Sequence, residues 1–344
     1  MRKVSGVLTI SIDFELHWGV SHLSVSAYER NLRGARVVVP RLLELFSRGG
    51  IPVTWATVGF LCCGSKDELM AALPAVENDY YRESLLSDRF MSTLGKNETE
   101  DPFHYAASLV AQIVNTPGQE LGTHTLSHFH CLAPGASPEA FQADLKAALD
   151  LARRKYGRLI KSIVFPRNQM SAPFLEICAD LGIMAYRGVE PAWPYTPSSG
   201  DGLIKRAVRL ADSCIDLTGH HTGDLVPLCS SLPVNVPSSA FLRPVGRGLE
   251  WRLRRIEAKM EYAARHGRLC HIWWHPHNFG GDVETSMAML MRLLFRFRQL
   301  SDDYGMRAMS MESVATEMLG VSGSNPVGDY EASGGRGAHQ SWRG

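Results

Sequence analysis

No apolar run in this chain approaches the roughly 18 to 20 residues that a membrane-spanning helix needs. The basic excess of a general nucleic-acid binder is missing too, since 36 Lys and Arg face 35 Asp and Glu. There is no disulfide-framework spacing. Cys62, Cys63, Cys131, Cys178, Cys214, Cys229 and Cys270 form an odd, scattered set, which suits reduced and mostly buried thiols. The neighbours Cys62 and Cys63 also lack the spacing of a zinc site. The opening MRKVSGVLTISIDFELHWGV starts with basic residues, but its apolar run is short. That run reaches Asp13 and Glu15 with no small-residue cleavage site after it, so a signal peptide is not expected. The expected compartment is the cytoplasm. No internal repeat is visible.

The chain has 344 residues and is 45% hydrophobic, enough for a large core. Strand and helix signals alternate along it. Strands are expected at Val7–Ile12, Ile51–Val58, Glu120–Gly122, Ile163–Phe165, Ile183–Tyr186, Leu269–Trp274 and Arg307–Met309. Helices are expected at Leu32–Arg48, Tyr105–Val114, Ser137–Tyr156, Pro173–Leu181, Leu249–His266 and Val283–Leu300. The Ser137-Pro138-Glu139 start is a strong one: a capping Ser, a first-turn Pro and an acid that complements the dipole. Asp67–Glu100 reads as a polar excursion, Pro191–Gly202 as loop, and Val208–Val236 has no clear pattern. Residues 1–319 are expected to form one α/β domain and residues 320–344 a disordered Gly/Ser-rich tail. Alternation argues for parallel βαβ units. It does not separate an open sheet from a barrel.

Four polar clusters follow expected strands, the edge that carries catalysis in both architectures. Asp13 and Glu15 sit two apart, so a strand would present both carboxylates on one side. His124-Thr125-Leu126-Ser127-His128, with His130 nearby, spaces two imidazoles to share one face of a helical turn and chelate a metal. Trp273-Trp274-His275-Pro276-His277-Asn278 places His275 as an acid or base, with His277 as its rival. Phe165-Pro166-Arg167-Asn168-Gln169 offers Arg167 to pair with a carboxylate, although singly it reads as a surface residue. Together they are the parts of a metal-assisted hydrolase.

The set and its order resemble the polysaccharide deacetylase (NodB-homology, carbohydrate esterase 4) family. SIDFE at Ser11–Glu15 stands for that family's TFDDG, and HTLSH at His124–His128 for its H-S/T-x-x-H. FPRNQ stands for its Arg motif and IWWH at Ile272–His275 for its Leu-x-His. The likeness spans about Val7 to Met309 and is nearest to members associated with cell-surface polysaccharide synthesis. It implies a distorted (β/α)7 barrel and removal of an N-acetyl group from an amino sugar. Phe14 stands where the family has a second Asp, which leaves Glu15 as the neighbouring carboxylate. The implied roles are Glu15, His124 and His128 as ligands of one divalent ion, most simply Zn2+, Asp13 as base, Arg167 as its orienting partner and His275 as acid. Trp193, Trp273 and Trp274 are candidates for stacking on sugar or for the core. The expected partner is an N-acetylated sugar on a nucleotide or lipid carrier. The basic helix Arg247–Arg268 either favours such an anionic carrier or is an ordinary solvated face. Two rival readings remain: a catalytically silent carbohydrate-binding relative, and a hydrolase of a non-sugar amide on the same fold.

Overall fold

Strand β1 (Val7–Phe14) is buried along its whole length, with alternate residues serving two different environments. Leu8, Ile10, Ile12 and Phe14 join the main core under the helices. Val7, Thr9, Ser11 and Asp13 face the other way. In this computed structural model, residues 5–74, 92–196, 202–225, 232–244, 246 and 248–320 are described. The tail expected from residue 320 falls outside them from 321 onward, as do Cys229, part of the Asp67–Glu100 excursion and the end of the Pro191–Gly202 loop. The six described cysteines are free, and five of them are buried.

Seven further strands run parallel around β1: β2 (Val53–Thr57), β3 (Gln119–Thr123), β4 (Ser162–Ile163), β5 (Ala185–Tyr186), β6 (Val234–Asn235), β7 (Ala240–Phe241) and β8 (Leu269–Trp274). The order is β6-β5-β4-β3-β2-β1-β8-β7. β6 and β7 are two halves of one extended segment. Its first half bonds to β5, through Val234 N–H to Met184 O and Val236 N–H to Tyr186 O. Its second half bonds to β8, through Ser239 N–H to His271 O and Leu242 N–H to Trp273 O. The segment therefore joins the two sheet edges and closes a distorted (β/α)7 barrel. A short β9 (Arg307–Ala308) pairs with Val7 and Leu8, below the point where β2 takes over at Ser11.

The α-helices among the described residues are α1 (Val25–Gly49), α2 (Lys66–Ala72), α3 (Ala107–Asn115), α4 (Pro138–Tyr156), α5 (Ala172–Asp180), α6 (Leu203–Asp212), α7 (Leu249–His266), α8 (Pro276–Gly280), α9 (Val283–Tyr304) and α10 (Met311–Met318). The barrel interior changes character from bottom to top. At the bottom Val7, Ala56, Val164, Ala185, Val234 and Leu269, drawn from different strands or their edges, form an apolar plug closed by Met311, Val314 and Met318 of α10. Above it the interior is polar, with Ser11, His271, Arg187 and Asp13 all buried. Among the differences from the sequence expectation are two regions of the helical layer and the closing strand. The Val208–Val236 region holds the end of α6 and the first half of the closing strand. α1 begins at Val25 rather than Leu32, because the Ser24 hydroxyl accepts the Ala27 N–H and caps it.

α8 carries the His275-Pro276-His277 end of β8, and its position is set by α1. A Cβ on Gly34 would lie 2.1 Å from Gly280 O, and the Asn31 amide donates to His277 O at 2.8 Å. This close backbone approach gives a prediction whose sign is opposite to the usual one. Gly to Ala in a helix interior ordinarily gains about 0.8–1 kcal/mol. Here Gly34→Ala is expected to lose about 1–3 kcal/mol through overpacking, read as a lower denaturant midpoint. A raised midpoint would contradict the packing.

Candidate metal and catalytic centre

The two carboxylates arrive by different routes. Asp13 is the last inward-facing residue of β1. Glu15 lies just past the strand, and Leu16 then turns the chain with φ 46° into the short helix Leu16–Val20. The Glu15 carboxyl folds back over Gly19, where an added Cβ would stand 1.9 Å from it. Phe14, between the two acids, points into the core and meets Trp55 edge-on. The expectation that Asp13 and Glu15 share one side therefore agrees with their placement, although Glu15 is not in the strand.

The HTLSH segment is not a helical turn. It is a bent loop in which Thr125 and His128 both adopt left-handed φ values, 64° and 60°. Such strain in non-glycine residues persists only where the surroundings hold it. Here buried Asp144 of α4 accepts Leu126 N–H at 2.6 Å and the Ser127 hydroxyl at 2.5 Å. Thr125 O accepts Gly59 N–H, and the Thr125 hydroxyl accepts Phe129 N–H. The loop thus delivers His124 and His128 to the barrel mouth.

Glu15 Oε2 lies 3.3 Å from His124 Nε2 and 3.0 Å from His128 Nε2. The Nδ1 of His124 is 2.8 Å from Val164 O, a carbonyl that can only accept. His124 Nδ1 therefore donates to that carbonyl, which leaves Nε2 as the atom turned toward the Glu15 carboxylate. A buried carboxylate ringed by imidazole nitrogens is a favourable seat for a cation, since a buried charge needs a partner. Two donors about 2.0–2.1 Å from one ion at the tetrahedral angle lie about 3.3 Å apart. The residues present thus fit a divalent ion. A donor set of two imidazoles and one carboxylate also leaves positions free for water and substrate. The second ring nitrogen of His128 meets His130 Nε2 at 3.1 Å, the kind of outer bond that fixes a ligand's tautomer. Burial, with His128 beside it, holds His130 down at a pKa of about 3, so that ring stays neutral.

Asp13 is paired, but not with Arg167. Arg187, at the end of β5, donates from Nη1 to Asp13 Oδ1 at 2.6 Å and from Nη2 to Oδ2 at 2.7 Å. This bidentate bridge is buried on both sides. Burial alone would raise the Asp13 pKa; Arg187 first and His124 next outweigh it, leaving the carboxyl below its ordinary value. The guanidinium stacks 4.0 Å above the Trp273 ring. Its Nη2 also donates to Asn168 Oδ1 at 3.2 Å. The expected role of Arg167 is thus corrected. Arg167 is exposed, it and Asn168 take left-handed φ values of 55° and 53°, and the motif's contact with the Asp13–Arg187 pair is made by the Asn168 amide. The FPRNQ motif reaches the site through Asn168. The sequence signal for Arg187 was present, an Arg directly after the Ile183–Tyr186 strand.

His275 leaves β8 at its end. Its Nδ1 donates to Asn278 Oδ1 at 2.9 Å, and its Nε2 lies 3.4 Å from Glu15 Oε1 and 3.7 Å from Asp13 Oδ2. It keeps more exposure, 20% of its side chain, than Asp13, Glu15, His124 and His128. His277 is not on a continued strand but on α8, buried and stacked on His275 at 4.8 Å. Burial, then the His275 charge, pushes its pKa down to about 3, which disfavours it as a proton donor. Burial also raises the Glu15 pKa, but His275 and the bonds to His124 and His128 outweigh this and hold it well below the usual carboxylate range.

Of the tryptophans, Trp274 is core, stacked on Phe279, and Trp273 lies under Arg187. Trp193 is 56% exposed. The basic helix α7 is largely neutralised within the fold. Arg254 pairs with Glu250, Arg265 with Glu261, and Arg255 with Asp216.

The corrected pairing has a direct test. Arg187→Gln leaves Asp13 buried without its cation and is expected to cost about 3–5 kcal/mol of stability. Arg167→Ala should leave the denaturant midpoint where it is. The reverse ranking would restore Arg167.

Comparison with known proteins agrees with this architecture. No family model matches the chain, and no curated protein matches it in sequence. Among solved structures it is similar to a candidate polysaccharide deacetylase from Mycobacterium smegmatis, at TM-score 0.58 and 12% identity, over 93% of this chain and 92% of that one. It is also similar to one from Pseudomonas aeruginosa PAO1, at TM-score 0.55 and 12% identity, over 92% and 91%. At these identities the likeness concerns the fold. The chain has the distorted (β/α)7 barrel of the NodB-homology polysaccharide deacetylases.

Proposed function

We propose that this protein is a metal-dependent deacetylase that removes the N-acetyl group of an amino sugar. The observation that carries the reading is the convergence of Glu15 Oε2, His124 Nε2 and His128 Nε2 beside a carboxylate, Asp13, locked by Arg187. Glu15, His124 and His128 would hold the ion, for which zinc suits the donor set. When bound, it would acidify a water and polarise the acyl carbonyl.

The chain's own groups supply the proton traffic. Asp13, kept ionised by Arg187, takes a proton from the attacking water. Arg187 fixes the carboxylate through two bonds, so it cannot swing toward Glu15. His275, partly exposed and with Nε2 3.7 Å from Asp13 Oδ2, gives a proton from Nε2 to the leaving amine, while Asn278 holds its other nitrogen. An amine is a poor leaving group unless protonated, which is why a separate donor is needed. The substrate is proposed to be a cytoplasmic acetamido-sugar intermediate of surface polysaccharide synthesis on a nucleotide or lipid carrier. The supports are the polysaccharide-deacetylase fold and the motif likeness; in addition, no helix among the described residues is long and apolar enough to cross a membrane.

Acetate release from a panel of free, nucleotide-linked and lipid-linked N-acetylated sugars tests the reading. Chelation should abolish release, and zinc or cobalt should restore it. Asp13→Asn should bind zinc near normally yet lose turnover. Glu15→Gln should lose zinc affinity first, with part of the activity returning at high metal. His275→Ala should cut turnover by about 10² to 10⁴ with zinc still bound. Full activity in metal-free protein would refute the scheme. Bound zinc without turnover on any of these sugars would favour a silent or non-sugar relative.

A further inference from the structure

Glu15 has a second face. While Oε2 is turned to His124 and His128, its other oxygen, Oε1, is turned to His275 Nε2 at 3.4 Å and His277 Nε2 at 3.9 Å. The donor atoms of Glu15, His275 and His277 all lie within 4.8 Å of one another, as do those of the first set. His277 is the odd member. It is buried, its Nδ1 has no hydrogen-bond partner among the described residues, and its Nε2 is too far from Glu15 for one. A buried imidazole without hydrogen bonds needs another reason for its position. His275 turns Nδ1 toward Asn278 Oδ1, which leaves Nε2 directed at Glu15 Oε1. The second oxygen of Glu15 is thus faced by two imidazole nitrogens, as the first is.

We propose that Glu15 Oε1, His275 and His277 form a second divalent-cation site, and that filling it shuts the enzyme down by taking the nitrogen from which His275 gives its proton. The inference rests on the metal-dependent reading above and adds a regulation to it. A carboxylate that bridges two ions places them about 3.5–4 Å apart, a spacing familiar in two-metal sites. The two sites are unequal. The first has shorter separations and three buried donors; the second is looser, and His275 is partly exposed. Arg187 and the first ion also repel a second dication. The first site therefore fills first, and the second only when metal is in excess. His277 serves the second site alone.

Zinc binding to metal-stripped full-length protein, by equilibrium dialysis with elemental analysis, tests this without a substrate. The wild type should bind one tight equivalent and a second at least tenfold weaker. His277→Phe, which keeps the stacked ring on His275, should bind one tight equivalent only, and His277→Gln is the second variant should the first not fold. His124→Ala should lose the tight equivalent and keep a weak one. On any substrate that the wild type turns over, excess zinc should inhibit the wild type and spare His277→Phe. A single equivalent in the wild type at a hundredfold excess over the tight site overturns this inference and leaves the proposed function standing. No zinc at all overturns both.

Discussion

A single buried carboxylate, Glu15, sets the terms for the whole mouth of the barrel. Four imidazoles approach its two oxygens through Nε2 at 3.0 to 3.9 Å. A charge in such surroundings is very costly unless a cation answers it. The fold commits much to this arrangement. It bends the chain at Leu16, leaves residue 19 without a side chain, and holds two left-handed residues in the HTLSH loop. Backbone strain of that kind costs on the order of 1–3 kcal/mol per residue. Asp144, buried beneath the loop, is one visible compensation.

Asp13 is kept apart from that cation by its own. Behind it runs a polar chain fixed in direction. His271 donates from Nδ1 to Val236 O, so its Nε2 accepts the Ser11 hydroxyl proton, which leaves Ser11 Oγ to accept from Arg187. Burial, then the Arg187 charge, drives the His271 pKa down to about 3, so this ring does not add a second positive charge beside the guanidinium. Arg187 is in this way tied by Ser11, Asn168 and Asp13 at once. The closing strand contributes to the same chain through Val236, which links barrel closure to the aim of the base.

Much of this was legible in the residues. Glu15, His124, His128 and His275 follow strands, and the chemistry of carboxylate and spaced imidazole is local enough to read from spacing. α7 and β8 were found at their observed bounds, because Gly267 and a clean apolar run mark them. What escaped was non-local. Arg187 and Arg167 are each an Arg after a short strand, and only the sheet order, together with left-handed φ at Arg167, decides which one meets Asp13. β6 and β7 are two residues each, too short to show alternation, and they gain meaning only by bonding to strands far away in the sequence. His277 likewise was legible only as a rival to His275, and its place on α8 depends on Pro276 and the Asn31 contact.

The central claim is that one ion sits between Glu15 Oε2, His124 and His128. The most direct measurement is a crystal structure of zinc-loaded protein with anomalous data at the zinc edge. A peak about 2.0–2.2 Å from each of those three atoms is expected, with Asp13 still bridged to Arg187. A peak held by Asp13 with Glu15 turned away, or no peak at the three atoms in protein that retains its zinc, would contradict it.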